Sequence, residues 1–255
     1  MSQENKKNRI EREKEFHDIS FKDNIRKKAH KFYSVTKKSR DYYHRILKLN
    51  ATGANALEYG CGPGGYAFML AEHGAKVTGI DISDVAIDLA EVEAESRGIH
   101  NRISFSVMNA EELEFDDSSF DLICGTGILH HLDLERSYSE IKRVLKEDGI
   151  AVFIEPLGHN PLINLYRKLT PNLRTVDEHP LMKRDLKLAE EYFGNVDIKY
   201  FHMLSLAAVP FRNIPLFKLL LAFLDLIDSA LFAILPFSRK HSWSVVMKLY
   251  APLKD

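Results

Sequence analysis

The sequence predicts an α/β protein in which helices cover both faces of a mostly parallel sheet. Three observations support this fold class. The 255 residues are 45% hydrophobic and 28% charged, which is typical of a folded globular chain. From residue 54, short apolar runs alternate with stretches of helical spacing, as in strands joined by helical crossovers. A glycine-rich turn follows the first of these runs.

Residues 1–50 form a segment that differs in charge from the rest of the chain. They contain 15 Lys and Arg against 7 Asp and Glu, whereas the remainder contains 20 and 29. The stretch Met1–Ile19 is polar, so a secretory signal is not expected. Apolar residues at roughly helical spacing predict one or two amphipathic helices lying on the following domain, residues 51–255. These positions are Ile25, Ala29, Phe32, Tyr33, Tyr42, Tyr43, Ile46, Leu47 and Leu49.

The remaining elements follow from the alternation of apolar runs. Ser83 can cap a helix over Asp84–Arg97, and a further helix over Leu134–Lys146 stops before Asp148 and Gly149. Most strands precede a helical segment, which predicts parallel pairing. Seven strands are predicted, at Ala54–Tyr59, Lys76–Asp81, Ile103–Met108, Phe120–Cys124, Ile150–Glu155, Val196–His202 and Ser242–Tyr250.

The turn after the first strand is the most informative stretch of the sequence. Gly60, Gly62 and Gly65 have the G-x-G-x-x-G spacing that lets a ligand approach the backbone closely. Asp81 ends the second strand 21 positions after Gly60, where its carboxylate could accept hydrogen bonds from both hydroxyls of a ribose. The pattern therefore indicates an adenosine-containing ligand, and both NAD and S-adenosylmethionine fit it.

Three further groups extend the pattern. Glu58, two positions before the first glycine, could bind the ammonium group of an amino acid, which NAD lacks. Asn109-Ala110-Glu111 follows the third strand, where an amide and a backbone N–H could read an adenine edge. Phe120–Cys124 and Leu129–Leu132 place polar groups at the carboxyl end of the fourth strand, where ligands of open parallel sheets bind.

These motifs resemble those of the class I S-adenosylmethionine-dependent methyltransferases, in the branch that acts mainly on small molecules. The match covers roughly residues 50 to 155, and Arg143–Lys146 with Asp148-Gly149 resembles the helix and turn before the family's fifth strand. The resemblance implies a Rossmann-like seven-stranded sheet of order 3-2-1-4-5-7-6 with the last strand antiparallel. Asn109 stands where the family commonly has an aspartate, and its oxygen can still bond the adenine amino group.

The resemblance also implies roles for individual residues and S-adenosylmethionine as cofactor. Glu58 would orient the amino acid end, Asp81 would hold the ribose, and Ile82 would lie against the adenine face. Cys124 and Gly125 could offer carbonyls to the ammonium group, and both cysteines, too few for a disulfide framework, are expected to pack rather than to act in redox chemistry. The implied cofactor-binding residues are Glu58, Gly60, Cys61, Gly62, Asp81, Ile82, Asn109, Ala110, Glu111, Cys124 and Gly125.

The candidate catalytic residues are His131, His130 and Glu155. A methyl group on a sulfonium is already activated, so the protein mainly aligns the acceptor, and an imidazole can remove the acceptor's proton near neutral pH. Glu155 ends the fifth strand beside the fourth. The alternative interpretation of the histidines is that they shape the loop.

Candidate substrate-binding residues follow the fifth strand, and they are His159, Asn160, Arg167 and His179. Asn160 can also cap a helix that starts at Pro161 and ends at Leu169. Capping, loop packing and surface ion pairs are the structural alternatives for this group. No short-spacing ligand motif supports a metal site, so none is expected.

Residues 204–240 form a helical insertion before the last strand. In Leu216–Leu235, 16 of 20 residues are apolar, but Lys218, Asp225 and Asp228 share one stripe and disfavour a transmembrane helix. Such a helix must be covered by core, a second subunit, a lipophilic substrate or a membrane interface. In the family, insertions here and N-terminal helices cover the substrate site, so residues 1–50 are expected to form a lid segment.

The sequence thus predicts a methyltransferase for a small, lipophilic acceptor, with oxygen slightly favoured as the accepting atom. The two cysteines favour a cytoplasmic protein, and contact with a membrane surface or a homodimer stays open. Three alternatives remain: an NAD-dependent oxidoreductase, an RNA methyltransferase guided by the basic N-terminal segment, and a noncatalytic binding protein. The nearly neutral net charge of -1 makes nucleic acid the less favoured partner.

Overall fold

The computed structural model describes residues 3–23, 30–171, 175 and 177–253. A single mixed sheet of seven strands has the order β3-β2-β1-β4-β5-β7-β6, in which β7 runs antiparallel to both neighbours. This confirms the predicted sheet order and the antiparallel last strand. The strands are β1 Asn55–Tyr59, β2 Lys76–Asp81, β3 Ile103–Val107, β4 Phe120–Thr126, β5 Leu145–Pro156, β6 Phe193–Phe201 and β7 Ser244–Pro252.

The register of the parallel strands brings their carboxyl ends together. Tyr59 of β1 pairs with Ile80 of β2, and Glu58 pairs with Cys124 of β4 on the other side. The strand order reverses at β1 and β4, so the loops after them diverge and leave a crevice between them. The glycine turn and the fourth-strand motif therefore lie at the same edge of the sheet.

Helices pack on both faces of the sheet, and each face has its own apolar cluster. Tyr138 and Ile141 of α6 are buried against one face, while Tyr43 and Leu47 of α3 are buried against the other. Full burial of such side chains contributes about 1.5–3 kcal/mol each. The described helices are α1 Gln3–Asp23, α2 His30–Tyr33, α3 Lys37–Ala51, α4 Ala67–Glu72, α5 Asp84–Ser96, α6 Leu134–Val144, α7 Pro161–Leu169, α8 Lys183–Leu188 and α9 Phe217–Ile234.

The caps predicted for two helices are present. Ser83 accepts a hydrogen bond from the N–H of Ala86 at the start of α5, and Asn160 does the same for Leu162 and Ile163 at the start of α7. These caps fix where the chain turns from strand to helix.

The sequence interpretation needs two corrections. Helix α1 was not predicted, because Gln3–Asp23 is strongly polar and few apolar residues mark a buried stripe. The predicted apolar positions Ile25 and Ala29 lie outside the described residues. The sixth helix ends at Val144, not at Lys146, because β5 already begins at Leu145 and pairs there with β4 before an irregularity in register.

The insertion before β7 contains α9 between two 3₁₀ segments, Ser205–Phe211 and Pro236–His241. Asp228 of α9 is buried and accepts hydrogen bonds from the N–H groups of Met203, Leu204 and Ser205, at 2.7–3.1 Å. This carboxylate anchors α9 to the chain that leaves β6. Within the described parts of the chain, no helix has the length and apolar character needed to cross a membrane.

Candidate active site

The turn after β1 forms the floor of a cavity, which we call the glycine-loop cavity. Gly60 and Gly62 have φ values of +72° and +53°, which glycine adopts without strain. A Cβ atom at Gly60 would lie 2.8 Å from the side chain of Ile128, and one at Gly62 would lie 3.4 Å from Phe21. Both positions therefore favour glycine for backbone conformation, and Gly60 also needs it for space.

Asp81, at the end of β2, lies on the wall of this cavity together with Ile82. Its two carboxylate oxygens accept hydrogen bonds from the N–H of Gly62, at 2.8 Å, and from the N–H of Ser83, at 3.0 Å. The carboxylate thus ties the glycine loop to the start of α5 while its outer side borders the cavity.

The loop after β3 forms another part of the wall. Asn109, Ala110 and Glu111 all line the cavity. The Asn109 side-chain oxygen accepts a hydrogen bond from the N–H of Glu111 at 3.1 Å, and the Tyr59 hydroxyl donates to the carbonyl of Ala110. The position where the sequence predicts an adenine contact is therefore a loop of fixed shape.

Glu58 lies behind the glycine loop, and the structure does not place it on the cavity wall. Its two oxygens accept hydrogen bonds from the N–H groups of Tyr66 and Ala67, both at 2.7 Å, at the start of α4. Burial raises the pKa of Glu58 to about 8, although these two donors oppose the rise. Glu58 acts here as a buried cap for α4, because both of its oxygens accept hydrogen bonds from N–H groups at the start of that helix.

Cys124 and Gly125 also lie away from the wall, in contrast to Cys61, which lines the cavity. The carbonyl of Gly125 accepts a hydrogen bond from the Tyr43 hydroxyl at 3.2 Å. Burial raises the pKa of both thiols, and each cysteine is unpaired and buried. Thr126 and Gly127, the next residues along the chain, border the cavity instead.

Helix α1 covers the glycine-loop cavity, which has a volume of about 220 Å³. Arg9 donates to the carbonyl of His131 at 2.7 Å and pairs with Glu111, and Lys14 donates to the carbonyl of Ile82 at 3.3 Å. The helix thereby contacts the loops that follow β2, β3 and β4. Its residues on the wall are Arg9, Ile10, Glu13, His17 and Phe21.

A second cavity of about 360 Å³ adjoins the first, and we call it the aromatic cavity. Its polar lining includes His130, His131, Glu155 and Arg167. The aromatic lining comes from five separate parts of the chain and consists of Phe16, Phe32, Tyr33, Tyr66, Tyr166 and Trp243. Its walls therefore suit a ligand with an apolar body that also carries a polar group.

His130 and Glu155 form a buried pair in the aromatic cavity. His130 Nδ1 lies 2.7 Å from Glu155 Oε2, and the other Glu155 oxygen accepts hydrogen bonds from the N–H groups of Ile128 and Leu129 at 3.0 and 2.9 Å. Burial raises the pKa of Glu155 to about 7, against the effect of these donors. The carboxylate fixes the orientation of the imidazole, as in histidine-dependent proton transfer.

Three residues border both cavities, namely Thr126, Gly127 and His131, and we call them the shared wall. His131 Nδ1 lies 3.1 Å from Glu13 Oε2 of α1. Burial alone would raise the pKa of Glu13, but its contacts with His131 and His17 outweigh that effect and hold the pKa below its ordinary range. The N-terminal helix is thus connected to the point where the two cavities meet.

The four predicted substrate residues separate in the structure, and only Arg167 lines the aromatic cavity, where it pairs with Glu178 at 2.6 Å. Asn160 is buried; its side-chain oxygen caps α7, and its side-chain nitrogen donates a hydrogen bond to the carbonyl of His241. His159 accepts from the N–H of Lys183 at 3.4 Å, and His179 is exposed. Capping and loop packing therefore account for Asn160 and His159, and His179 lines neither cavity.

Sequence reasoning missed the α1 residues at the site, including Glu13 and His17. Their spacing of four residues on a polar helix places both on one face and was the available signal. Thr126 and Gly127 were also missed, because the fourth-strand motif indicated a contact at the two preceding residues, Cys124 and Gly125.

The sheet order, the glycine loop and the carboxylate after β2 together define a Rossmann-like protein of the class I methyltransferase type. Residues 57–153 match the family model described as a methyltransferase domain. This part of the chain therefore matches a methyltransferase domain, in agreement with the resemblance that the sequence motifs show.

Several curated relatives share this region. A sterol 24-C-methyltransferase of Gibberella zeae is 37% identical over 100 residues, covering 38% of this chain and 26% of the relative. A demethylmenaquinone methyltransferase of Lactobacillus johnsonii is 32% identical over 142 residues, or 52% and 58% of the two chains. A ubiquinone biosynthesis O-methyltransferase of Coxiella burnetii is 32% identical over 47% of this chain and 50% of its own. The chain therefore spans between a quarter and three fifths of their lengths.

Solved structures share the fold over most of the chain. A geranyl diphosphate C-methyltransferase of Streptomyces coelicolor gives a TM-score of 0.59 at 16% identity, covering 83% of this chain and 79% of that one. The [4+2]-cyclase SpnF gives a TM-score of 0.54 at 20% identity, covering 83% and 82%. These likenesses show the fold alone, and they include a protein named for a cyclisation.

Proposed function

We propose that the protein is an S-adenosylmethionine-dependent methyltransferase that acts on a small, lipophilic acceptor, with oxygen favoured as the accepting atom. The shared wall supports this proposal, because a ligand at the glycine loop would lie next to a second ligand among the aromatic side chains. Methyl transfer needs two such ligands side by side, with water displaced from between them.

The glycine-loop cavity fits an adenosine-containing cofactor in its donor set. The Asp81 carboxylate suits ribose hydroxyls, Asn109 and Ala110 suit an adenine edge, and the glycine loop leaves the space that a Cβ at Gly60 would fill. When bound, S-adenosylmethionine supplies a methyl group on a positively charged sulfur, with S-adenosylhomocysteine as the product. The comparisons lend no support to an NAD-dependent oxidoreductase or an RNA methyltransferase.

The chain itself contributes alignment and a proton acceptor. Alignment of two reactants can lower a barrier by about 7–11 kcal/mol, so it accounts for most of the catalysis expected here. His130 borders the aromatic cavity and is oriented by Glu155. We therefore assign it the role of general base, which accepts the proton of the acceptor's hydroxyl group. Glu155 is then a positioning residue, since its oxygens are all directed at His130 and at backbone N–H groups.

Two observations support a lipophilic acceptor. Six aromatic side chains line the aromatic cavity. Three relatives are named as a sterol 24-C-methyltransferase, a demethylmenaquinone methyltransferase and a ubiquinone biosynthesis O-methyltransferase, names that indicate largely apolar acceptors. We therefore favour an apolar molecule that presents a hydroxyl.

Such an acceptor would reach the cavity from a membrane surface. One stripe of α9 exposes large apolar side chains, Leu216, Leu219, Phe223 and Leu226. Helix α7 packs in the same apolar cluster as α9 through Ile163, and Ile163 also lines the aromatic cavity. The exposed apolar side chains of α9 are thus connected to the cavity wall through this apolar cluster.

The charged side chains of the insertion indicate which kind of membrane surface it would bind. Its two acidic side chains point inward: Asp228 is buried, and Asp225 is half-buried beside Lys38. Its exposed charged side chains in residues 204–241 are Arg212, Lys218 and Lys240. Apolar side chains flanked by cations favour binding to anionic lipid.

Sedimentation with vesicles of phosphatidylserine and phosphatidylcholine tests this contact. The double substitution Phe223→Ser with Leu226→Ser should reduce bound protein severalfold, while Leu89→Ser, at an exposed leucine of α5, should not. Equal binding of all three proteins would refute the membrane contact. A concentration-dependent homodimer that the double substitution dissociates, without vesicle binding, would assign the same face to a second subunit instead.

The methyltransferase proposal is tested with labelled S-adenosylmethionine and a cell extract separated after reaction into lipid, small-molecule, RNA and protein fractions. We expect label in the fraction extracted by organic solvent. Hydriodic acid should release that label as a methyl group cleaved from oxygen, whereas carbon-linked label would remain. Label confined to RNA or protein, or folded protein with no affinity for S-adenosylhomocysteine, would contradict the proposal. A cytoplasmic location, favoured by the buried unpaired cysteines, stays a prediction.

A further inference from the structure

Three side chains with metal-binding atoms converge where the two cavities meet. Glu13 and His17 stand one turn apart on α1, and His131 belongs to the 3₁₀ segment after β4. Glu13 Oε2 lies 3.1 Å from His131 Nδ1 and 3.6 Å from His17 Nε2, and the three ligand atoms all lie within 4.8 Å of one another. Glu13 and His17 are four residues apart, but the third ligand, His131, lies more than 110 residues further along the chain, so sequence spacing alone does not reveal the set.

These separations match the geometry of a small coordination sphere. Nitrogen and oxygen atoms bound to zinc at about 2.0–2.2 Å in a tetrahedron lie roughly 3.3–3.6 Å from one another. The two measured separations, 3.1 and 3.6 Å, are close to that range. A modest rotation of the side chains would therefore suffice to accommodate an ion.

Burial and unsatisfied polar atoms give an independent indication. The Glu13 and His131 side chains are only 7% and 6% exposed. Within the described residues, Glu13 Oε2 and His131 Nδ1 are buried and make no hydrogen bond of good geometry. The 3.1 Å contact between these two atoms lacks hydrogen-bond geometry, and a cation coordinated by both would replace it.

The surroundings of Glu13 are those of a metal ligand. Its other oxygen, Oε1, accepts a hydrogen bond from the Thr175 hydroxyl, and Arg9 holds the backbone of His131 through its carbonyl. Hydrogen bonds of this kind orient ligands at metal centres. A second cluster, formed by His130, His131 and Glu178, is less suited, because Glu178 already pairs with the guanidinium of Arg167.

We propose that Glu13, His17 and His131 bind a divalent transition-metal ion between the two cavities. Two imidazoles and one carboxylate favour zinc, cobalt, iron or manganese over magnesium and calcium, which prefer oxygen ligands alone. Three protein ligands leave a coordination position open. At the shared wall, that position is available to an oxygen of the acceptor, so the ion would orient the acceptor and acidify its hydroxyl. This last consequence rests on the proposed methyltransferase function, whereas metal binding itself does not.

The full chain, stripped of metal with a chelator, is titrated with Co²⁺ while its visible absorption is recorded, and Zn²⁺ is then added in competition. We expect one equivalent of Co²⁺ to give ligand-field bands that Zn²⁺ abolishes. Glu13→Gln and His17→Asn should each weaken Co²⁺ binding at least tenfold. The matched controls Glu15→Gln, on the exposed side of α1, and His100→Asn, an exposed histidine, should leave it unchanged within twofold.

Thermal unfolding provides a second readout that does not depend on activity. Zn²⁺ should raise the melting temperature of the wild-type protein and not that of Glu13→Gln, because an ion that binds only the folded state stabilises it. Absence of stoichiometric Co²⁺ binding, or equal binding by Glu13→Gln and wild type, would overturn the proposal. Loss of binding in Glu178→Gln alone would overturn it in favour of the second cluster. Metal binding without affinity for S-adenosylhomocysteine would refute the proposed function and leave the metal site standing.

Discussion

The two cavities that meet at the shared wall are held in shape by different forces. Backbone hydrogen bonds and ion pairs fix the glycine-loop cavity, as in the contacts of Asp81 with Gly62 and of Arg9 with Glu111. Packing of aromatic side chains shapes the aromatic cavity, and its chemistry is concentrated in the pair of His130 and Glu155. The shape of the glycine-loop cavity therefore depends on backbone conformation and charge. The aromatic cavity depends instead on apolar packing and on one oriented imidazole.

The sharpest separation of the two cavities is expected from His130→Gln. Loss of a proton acceptor lowers turnover by about 10²–10⁴-fold. Affinity for S-adenosylhomocysteine, measured by calorimetry, should change less than threefold, because His130 borders only the aromatic cavity. A parallel loss of both properties would show that the histidine supports the glycine-loop cavity instead.

The glycine loop offers a test with a well-matched control. Gly60→Ala adds a Cβ 2.8 Å from Ile128 at a φ of +72°, whereas Gly53→Ala adds one at a φ of +74° with open space around it. Both substitutions bear backbone strain of about 1–2 kcal/mol. Only Gly60→Ala should weaken S-adenosylhomocysteine binding, by roughly 10- to 100-fold, because the loop must shift to relieve the clash. Equal affinities for the two variants would argue against a ligand at this loop.

Asp81→Ala removes one charged wall of the same cavity. Loss of its hydrogen bonds should weaken S-adenosylhomocysteine binding at least about tenfold, or roughly 1.4 kcal/mol. Asp88→Ala, at an exposed position of α5, serves as the control and should bind normally. Unchanged affinity in folded Asp81→Ala protein would remove this carboxylate from the site.

The smallest expected effect concerns the packing behind the aromatic cavity. His202 is buried beside Ser39, and burial, with Lys38 and Arg40 nearby, lowers its pKa to about 3. The unfolded chain binds this proton near pH 6.5 and the folded chain does not, so stability is lost as the pH falls below about 6.5. The pKa of Asp225, whose Oδ1 lies 3.9 Å from His202 Nδ1, is raised rather than lowered. Asp225 is present in both the wild type and the variant described next, so its effect is common to both.

Replacing His202 with asparagine removes this contribution while keeping a residue that tolerates its φ of +63°. Between pH 7 and pH 5.5, the free energy of unfolding of the wild type should fall by about 1 kcal/mol more than that of the variant. Urea unfolding at both pH values measures the difference. Parallel pH dependence in the two proteins would show that folding does not lower the pKa of His202.

The two cavities also differ in how well their lining residues could be predicted from the sequence. The glycine-loop cavity is built mainly from motifs within residues 57–131, where a strand, a turn and a following acid occur at fixed spacing, so most of its wall was predictable. Glu58 was an exception, because spacing shows that a carboxylate is near the loop but not on which side of it. Periodicity is clearest for elements half-buried in a core, and the polar helix α1 lacks that signal.

The aromatic cavity was much less predictable. Its lining joins Phe16 to Trp243, and only the tertiary fold shows that these residues meet. Asn160 illustrates the limit: its amide suited both a cap and a ligand contact, and only the structure shows that capping α7 and bonding the carbonyl of His241 use both ends of it.

Helix α1 has one consequence for kinetics. Its inner face supplies Glu13 and His17 to the glycine-loop cavity, and Phe16 and Ser20 to the aromatic cavity. We expect release of a ligand beneath this helix to require that the helix move, which would also displace part of the neighbouring wall. Initial-rate and product-inhibition patterns should therefore follow a compulsory order, in which the adenosine compound arrives first and departs last.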